Sequence, residues 1–382
     1  MNIGIPKEIL FGEKRVALVP DAVAKLTAEK IEVIVESGAG DNANYLDSQY
    51  KDAGADIVPN SKDLLGSADV VLKIHAPNMN QGLGSLETDM LKDGGALIAL
   101  LQPLNNTDLV KILVNKRITS FSMDTVPRIA RAQSMDALSS MSSLAGYKAA
   151  ILAANLLEKY FPMMITAAGT YAPAKGLVLG AGVAGLQAIA TSRRLGAVIQ
   201  AFDVRPVVKE QVESLGAIFV GITEEENVED VSGYAKEMSE DSQHKEIELI
   251  HKYAKDVDFI ITTALIPGRP APILLTKEII NDMKAGTVVI DMAAESGGNC
   301  ELTKPGEYVT ENGVTIFGPL NLPSSMPIHG SQMYSRNISN LLMHMLKDGE
   351  LNLDFDDTII KGCCITHQGD IVHEATRALI SG

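Results

Sequence analysis

The sequence predicts an α/β fold with two domains, each built around a mostly parallel sheet, that flank a cleft. Short apolar runs alternate with amphipathic helical patterns along the 382 residues, and strands separated by helices of this length pair in parallel. The alternation stops at a long helical pattern near residue 136, and a new series begins near residue 175. A chain of this length has room for two domains, each with its own core.

The first series of elements occupies about the first 125 residues. Its predicted strands are NIGIP, IEVIVESG, DIVP, DVVLKIHAP, GALIALLQP and ITSFSMD. Its predicted helices are DAVAKLTAEK, YLDSQYKDAG and NNTDLVKILVNK. A long helix over about residues 136–160 then separates this series from the second one.

The second series has the predicted strands KGLVLG, AVIQAFDV, AIFV, DFIITTAL, TVVIDMAA and VTIFG, with helices VAGLQAIATSRRLG and KEQVESLG. A helix, QMYSRNISNLLMHMLKDG, and a short β-like tail, IIKGCCITHQGDIVH, follow after about residue 330. The tail is too short for a third domain, so we expect it to return to the first. The predicted domains are therefore residues 1–136 with 330–382, and residues 137–329, with the ligand site in the cleft.

Composition and charge exclude several classes of function. The net charge of −15 repels phosphates and anionic lipids, so we expect no nucleic acid partner. The three cysteines lack a metal-ligand spacing, which fits a reduced cytoplasmic protein without a metal site. In a regular strand, Cys363 and Cys364 would point to opposite faces. The charged N-terminus is not a signal peptide, and serines and Lys148 in the apolar stretch 137–157 favour a packing helix over direct membrane insertion.

A glycine motif is the strongest local signal of function. Gly180, Gly182 and Gly185 form G-x-G-x-x-G between a predicted strand and a predicted helix, and Asp203 follows 18 residues after the last glycine. In this pattern the glycines permit a tight turn, close approach of a pyrophosphate and close packing of helix on strand. A purely structural turn is the alternative. The motif indicates a Rossmann-like dinucleotide-binding domain, with predicted contacts from Gly180, Gly182, Val183, Ala184, Gly185, Asp203, Val204 and Arg205.

Asp203 also indicates which dinucleotide binds. A carboxylate accepts bonds from a ribose 2′-hydroxyl and repels a 2′-phosphate, so NAD(H) is favoured over NADP(H). Arg205 leaves the second alternative open, because an arginine at this place can accommodate the phosphate.

Other strand ends carry weaker signals. Ala264 and Leu265 follow a strand and should face the cofactor, although an ordinary strand exit explains them equally well. Glu295 lies just beyond another strand end. The acidic segment 224–256 has a net charge of −7, typical of a solvated helical hairpin, yet Tyr234 within it could be the tip of a mobile lid. Among seven histidines, His75 alone lies at a strand end, and a structural role is the better interpretation.

The segment RIARAQSMDALSS, residues 128–140, is unusually rich in hydrogen-bonding side chains. Read locally, it is the start of a helix, with Ser134 as the N-cap and Asp136 placed near the positive helix end. Its density of polar groups also fits a ligand-binding loop, and the local pattern does not decide between these alternatives.

Several blocks of the sequence resemble a known family. The opening IGIPKEILFGEKRVALVPDAV is similar to both branches of the superfamily that contains alanine dehydrogenase and the NAD(H)-binding component of proton-translocating NAD(P) transhydrogenase. The blocks PRIARAQSMDALSSMSSLAGY, FPMMITAAGTYAPAKGLVLGAGVAGLQAIATSRRLGA, SGYAKEM, TTALIPGRPAP and DMAAESGGNC resemble the transhydrogenase branch specifically. The resemblance covers essentially the whole chain.

The resemblance implies roles for particular residues. Arg128, Gln133 and Asp136 would be the catalytic residues and, with Ser139, would grip the nicotinamide end of NAD(H), while Tyr234 would lie on a closing loop. It implies direct hydride transfer to NADP+ on the NADP(H)-binding domain of a beta subunit, coupled to proton movement through membrane-spanning subunits. It also implies a homodimer, in the cytoplasm and attached to the inner membrane through those partners.

Departures from alanine dehydrogenase favour the transhydrogenase interpretation. Arg15 and Lys73 match that enzyme's substrate-handling positions, but its catalytic histidine position is Gln102 here, and Glu295 replaces an aspartate. Glutamine is not an acid–base group near neutral pH, and transfer between two nicotinamide rings needs none. An amino-acid dehydrogenase and a non-enzymatic NAD-sensing module remain the alternatives.

Overall fold

The computed structural model of the chain describes residues 1–221, 240–266 and 268–381. Among these residues, no helix is both long enough and apolar enough to cross a membrane. The strands are β1 (Asn2–Ile5), β2 (Glu32–Glu36), β3 (Asp56–Val58), β4 (Val70–His75), β5 (Met79–Asn80), β6 (Ser85–Leu86), β7 (Ala96–Leu100), β8 (Thr119–Ser122), β9 (Met164–Thr166), β10 (Gly169–Tyr171), β11 (Lys175–Leu179), β12 (Val198–Phe202), β13 (Ile218–Phe219), β14 (Phe259–Thr262), β15 (Val288–Asp291), β16 (Tyr308–Glu311), β17 (Val314–Phe317), β18 (Leu346–Lys347), β19 (Glu350–Leu351), β20 (Cys364–His367) and β21 (Asp370–Ile371). The α-helices are α1 (Pro20–Ala28), α2 (Asp47–Asp52), α3 (Ser61–Ser67), α4 (Glu87–Met90), α5 (Thr107–Asn115), α6 (Ala137–Leu156), α7 (Val183–Arg194), α8 (Lys209–Ser214), α9 (Glu240–Ala254), α10 (Lys277–Asp282), α11 (Pro327–His344), α12 (Thr358–Cys363) and α13 (Glu374–Ser381).

The chain divides into two compact units. Unit 1 comprises Met1–Met141 and Ser324–Gly382, and unit 2 comprises Ser142–Pro323. The first boundary falls inside α6, so the chain leaves unit 1 within a continuous helix.

Unit 1 contains a sheet with the strand order β21-β20-β8-β7-β4-β1-β2-β3. The strands from β8 to β3 are parallel, whereas β20 is antiparallel to β8 and β21 is antiparallel to β20. The buried strand β4 lies near the centre of this sheet, which explains its nearly continuous apolar sequence. The pairing of β20 with β8 confirms that the C-terminal segment returns to the first domain.

The tail is only partly a strand, which corrects the sequence interpretation. Residues 358–363 form α12, because the Asp357 side chain caps this helix by accepting from the Ile359 amide at 2.7 Å. Cys363 ends the helix and Cys364 begins β20, and both side chains are buried. The expectation that they point to opposite faces of one strand was therefore wrong, since a change of secondary structure separates them.

Helix α11 completes the core of unit 1. It begins at Pro327, earlier than the predicted start, because proline is well suited to the first turn of a helix. Its buried Ser331 hydroxyl accepts from the Val16 amide at 3.0 Å, and its buried Tyr334 hydroxyl donates to the Lys73 carbonyl at 2.8 Å. These bonds attach α11 to the segment before α1 and to β4.

Unit 2 contains a sheet with the strand order β13-β12-β11-β14-β15-β17-β16. Its strands are parallel except for β16, which is antiparallel to β17. In β11, Leu179 pairs with Phe202 of β12 on one side and with Thr262 of β14 on the other. The ends of these three strands therefore meet at one edge, here called the carboxyl edge. This order is that of a Rossmann-like sheet and confirms the predicted fold class.

Candidate functional site

The glycine turn, residues 180–185, joins β11 to α7 at the carboxyl edge of unit 2. Gly180 has a φ of +94°, and a Cβ atom there would lie 2.6 Å from Thr263 Oγ1. A Cβ atom on Gly185 would lie 1.8 Å from the Gly180 carbonyl oxygen. Contacts within the chain therefore exclude a side chain at both positions.

Gly182 is a glycine for a different reason. Its φ of −74° is available to any residue, and among the described atoms a Cβ there would meet only Arg205 Nη2, at 4.0 Å. Gly182 is also the N-cap of α7, and no side-chain cap is seen there among the described residues. As far as the described residues show, the first amides of α7 are thus open to an anion, and glycine at this position would permit close approach of a bound molecule. A pyrophosphate fits this arrangement.

Asp203 links the end of β12 to the glycine turn. Its carboxylate accepts from the Ala181 amide at 2.7 Å and from the Arg205 amide, Nε and Nη2 at 2.9 Å each. The side chain is 5% exposed. The acid that we predict to bind a ribose hydroxyl therefore also shapes the turn, and it holds Arg205 in an ion pair.

Glu246 is a second buried acid that the sequence interpretation missed. It lies on α9 and is 8% exposed, and burial together with the charge of Asp203 raises the pKa of its carboxyl to about 7. The signal was helical periodicity, because Glu246, Ile250 and Ala254 follow at intervals of four and all are buried. The high net charge of the segment favoured the interpretation that all its side chains are solvated, so these buried positions were missed.

The turn after β14 also lies at the carboxyl edge. The Thr263 hydroxyl donates to the Gly180 carbonyl at 3.0 Å, which ties this turn to the glycine turn. The amide and carbonyl of Ala264 both bond to the side chain of Asn299, while Leu265 is largely exposed. Asn299 is within the DMAAESGGNC block, but its amide was not identified as a contact from sequence.

The other predicted contacts of unit 2 have mixed environments. Val183 is exposed at the start of α7, and Val204 is partly buried against apolar side chains. A Cβ atom on Gly146 would lie 2.0 Å from the Ala184 carbonyl oxygen, so this part of α7 packs closely on α6. Tyr234 lies outside the described residues.

In unit 1, the segment RIARAQSMDALSS is anchored on one side. Residues Ala130–Met135 form a 3₁₀ helix, in which Ala132 and Met135 are buried. The Ser134 carbonyl accepts from the side chains of Asn337 and Asn340 at 2.9 and 3.0 Å. Helix α11 thus holds this segment through the main chain and leaves other side chains outside.

Asp136, not Ser134, is the N-cap of α6. Its Oδ1 accepts from the Ser139 amide at 2.8 Å, and its Oδ2 accepts from the Ser139 hydroxyl at 2.6 Å. Ser134 lies inside the 3₁₀ helix, which moves the start of α6 to Ala137. The structure therefore divides the predicted set: Asp136 and Ser139 bind each other, whereas Arg128 and Gln133 are exposed.

Arg15 and Lys73, the two cationic residues expected to match substrate-handling positions of alanine dehydrogenase, each have a buried acidic partner. Arg15 Nη2 lies 2.6 Å from Glu13 Oε2, and Lys73 Nζ lies 2.8 Å from Glu87 Oε1. His75 Nε2 lies 2.6 Å from the same Glu13 oxygen, so His75 belongs to this network.

The two residues expected to depart from alanine dehydrogenase, Gln102 and Glu295, are both exposed. Gln102 has a φ of +47°, and its backbone amide donates to Asp124 Oδ1 at 3.1 Å. Glu295 accepts from the Asn321 amide at 3.0 Å. Gln102 therefore lies just beyond the end of β7, and its side chain has no titratable group.

Comparison with known proteins identifies the family. Residues 4–145 match the model of the alanine dehydrogenase/PNT N-terminal domain, and residues 149–374 match that of the C-terminal domain. The chain belongs to the alanine dehydrogenase/PNT family. This family member is 47% identical over 379 residues to a NAD(P) transhydrogenase subunit alpha chain of Rhodospirillum rubrum, and the match covers 98% of each chain.

Solved structures agree with this assignment. A transhydrogenase structure from Sinorhizobium meliloti matches 97% of the chain with a TM-score of 0.86 and 40% identity, and all of that chain is covered. A structure of L-alanine dehydrogenase matches 100% of the chain, and 99% of its own, with a TM-score of 0.82 and 26% identity. These similarities confirm the transhydrogenase resemblance and place this family member among the oxidoreductases as a subunit of that type.

The glycine turn yields a paired prediction on stability. Gly185→Ala should lower the free energy of unfolding by about 3 kcal/mol or more, because its Cβ overlaps a backbone oxygen. Gly182→Ala should lower it by about 1 kcal/mol or less, because the new Cβ meets no backbone atom and only the N-cap preference for glycine over alanine is lost. Urea unfolding of both variants measures the difference. Equal effects of the two substitutions would contradict the separate roles of these glycines.

Glu246 yields a prediction on pH dependence. Since the pKa of its carboxyl is raised from 4.5 to about 7, the folded chain keeps a proton that the unfolded chain loses. This contribution to stability is complete below about pH 4.5 and is lost as pH rises through about 7. Between about pH 5 and 8, the wild type should lose on the order of 2 kcal/mol relative to Glu246→Gln in urea unfolding.

The exposed Glu248 lies on the same helix and supplies the matched control for this experiment. Glu248→Gln should follow the wild-type pH dependence. If Glu246→Gln follows it as well, the buried acid is not the source of the effect.

Proposed function

We propose that the chain is the NAD(H)-binding component of a proton-translocating transhydrogenase. In this proposal, hydride passes directly between NADH on this chain and NADP+ on the NADP(H)-binding domain of a beta subunit. Membrane-spanning partner subunits couple the transfer to proton movement. Similarity to a transhydrogenase alpha subunit over 98% of the chain supports the reaction class. The observation that carries the cofactor assignment is the space at Gly182 beside the N-terminus of α7, where the described residues provide no side-chain cap.

The residues of the carboxyl edge would divide the cofactor between them. The backbone amides of Gly182, Val183 and Ala184 would bind the pyrophosphate, and Asp203 would accept from the adenosine ribose. Asp203 would lie at this ribose, and it engages Arg205 in an ion pair. The charge of Asp203 disfavours a 2′-phosphate and supports NAD(H) over NADP(H).

The chemistry requires positioning rather than acid–base catalysis. When bound, the nicotinamide ring supplies or accepts the hydride, and no substrate proton moves. Arg128 and Gln133 lie on a segment anchored on α11, so they can orient the nicotinamide end with little loss of backbone freedom. Asp136 and Ser139 fix the start of α6 behind them. A rigid clamp of this kind holds one ring ready for another and excludes water.

Amino-acid oxidation fits these residues less well. It requires a group that takes a substrate proton, and Gln102 occupies the position that resembles a catalytic histidine. A substrate carboxylate would also have to compete with Glu13 and Glu87 for Arg15 and Lys73. A non-enzymatic NAD sensor would bind nucleotide through the same turn but would transfer no hydride.

One assay separates the three functions. The purified chain is mixed with an NADP(H)-binding partner domain, and reduction of NADP+ or an analogue by NADH is followed. Transfer that depends on both proteins supports the proposal. Turnover of NADH with pyruvate and ammonia by the chain alone would establish an amino-acid dehydrogenase. If the chain binds NADH but transfers no hydride to either acceptor at any partner concentration, the result would indicate a non-enzymatic NAD sensor.

The clamp residues should affect transfer more than binding. Arg128→Ala and Gln133→Ala should each lower the hydride-transfer rate by about tenfold or more, the loss expected when ring positioning fails. The Kd for NADH should rise less than about threefold, because the pyrophosphate and ribose contacts remain. Stopped-flow transfer and NADH titration supply the two measurements.

Exposed Arg336 on α11 is the control cation for this pair, and Arg336→Ala should leave both quantities unchanged. Loss of all NADH binding in folded Arg128→Ala or Gln133→Ala would contradict the division between clamp and phosphate site.

We also propose that the chain forms a homodimer in the cytoplasm and attaches to the inner membrane through its partner subunits. The hairpin β9–β10 and its flanks expose a group of apolar side chains, of which Ile165 is 79% and Met163 60% exposed. Tyr160 and Tyr171 pack edge to face beside them. Such a patch is costly to leave in water and supports a contact between copies.

Ile165→Asp tests this surface. A charge at the centre of a dimer contact should raise the dimer dissociation constant by about a hundredfold, as expected when an apolar anchor is lost. Sedimentation velocity measures the change. Leu379→Asp, an exposed leucine of unit 1, is the control and should sediment as the wild type does. A wild type that is monomeric at all concentrations would contradict the proposal.

A further inference from the structure

The side chain of Asn299 makes an unusual set of bonds at the carboxyl edge of unit 2. It is fully buried, and its Nδ2 donates to the Ala264 carbonyl at 2.9 Å and to the Pro272 carbonyl at 2.8 Å. Its Oδ1 accepts from the Ala264 amide at 3.0 Å. One amide side chain thus satisfies both backbone groups of Ala264, in a turn outside the sheet ladder.

Asn299 is itself fixed by the buried carboxylate of Asp291. Asp291 Oδ2 accepts from the backbone amide of Asn299 at 2.8 Å and from that of Cys300 at 3.0 Å. Its Oδ1 accepts from the Thr262 hydroxyl at 2.8 Å, which ties it to the end of β14. Hydrogen bonds to a buried carboxylate are stronger than neutral ones, so Asn299 has a defined place relative to β14 and β15.

Strand order determines which part of a dinucleotide this turn faces. Strand β11 lies between β12, which ends at Asp203, and β14, which leads to Ala264. In such a sheet the ligand crosses the carboxyl ends at the point where the strand order reverses. If Asp203 accepts from the adenosine ribose, the nicotinamide half lies on the β14 side, over Ala264 and Leu265.

We propose that Asn299 is a positioning residue that sets the Ala264–Leu265 backbone against the nicotinamide half of bound NAD(H). This inference rests on the proposed function. Without the side chain, both backbone groups of Ala264 and the Pro272 carbonyl lose buried partners, and the turn must move toward water to regain them. The glycine turn keeps its own contacts through Thr263 and Asp203, so the adenosine half of the site stays formed.

Calorimetric titration with NADH and with ADP tests this positioning role in the full chain. In Asn299→Ala, the Kd for NADH should rise about tenfold, while the Kd for ADP should change less than about twofold. The control is Thr287→Val, which removes one buried hydroxyl bond to the Val257 carbonyl at the opposite end of β15. It should leave both affinities unchanged. Thermal unfolding of each variant compares their stabilities.

The outcomes distinguish this inference from the function on which it rests. Unmodified chain that binds neither NADH nor ADP would overturn the proposed function, and the inference with it. If the unmodified chain binds both, equal loss of NADH and ADP affinity in Asn299→Ala would show a general structural role and overturn the inference alone. Unchanged NADH affinity in that variant would overturn it as well.

A second measurement covers the case in which Asn299→Ala does not fold. In the unmodified chain, amide hydrogen exchange of residues 263–266 should slow when NADH is added and should not slow with ADP. Equal protection by the two ligands, or none by either while both bind, would overturn the inference without any variant.

Discussion

The structure of unit 2 depends on the contact between the first turn of α7 and the end of β11. At Gly185 the helix comes so close to the Gly180 carbonyl oxygen that a Cβ atom would lie 1.8 Å from it. This packing fixes the N-terminus of α7, whose N-cap is Gly182, beside the end of β11. Thr263 bonds to the same carbonyl and holds the turn after β14 against the glycine turn. The geometry of the candidate site is thus a consequence of helix–strand packing.

Buried carboxylates organise the rest of the carboxyl edge. Asp203 and Asp291 each follow or end a strand, and each accepts backbone amides from a neighbouring turn. Several donors of the protein thus replace the water that the Asp203 and Asp291 carboxylates lose on burial. For Glu246, burial and the charge of Asp203 raise the pKa of the carboxyl to about 7. Composition alone suggests that acidic residues are surface charges, but Asp203 and Asp291 act as buried hydrogen-bond acceptors.

Unit 1 shows how a segment can be both a helix start and a candidate clamp. Its buried residues and the Ser134 carbonyl attach it to the protein, and Asp136 caps α6. These bonds leave Arg128 and Gln133 at the surface on a fixed backbone. Rigid presentation of polar groups is what hydride transfer between two rings requires, since it needs geometry and no proton acceptor.

Local patterns determined much of the fold. The apolar runs located the central strands of both sheets. The glycine motif located the turn between β11 and α7, because its signals lie within one βαβ unit. Short polar elements were missed: α3 begins at the Asn60 cap and carries few apolar residues, and α12 was read as strand because of its isoleucines. Weak periodicity over six or seven residues does not distinguish helix from strand.

Tertiary structure alone decided which polar groups meet. Asn299 bonds to Ala264 across 35 residues, and the Ser134 carbonyl meets Asn337 across 203 residues, so no local pattern indicates either pair. The N-cap moved from Ser134 to Asp136 because α11 holds the preceding residues in a 3₁₀ helix. The sequence by itself indicated the family, the Rossmann-like fold class and the position of the glycine turn, because the motifs that indicate them are contiguous in the chain. Packing between distant segments decided which polar groups are paired, because a buried polar group takes whichever partner the fold brings to it.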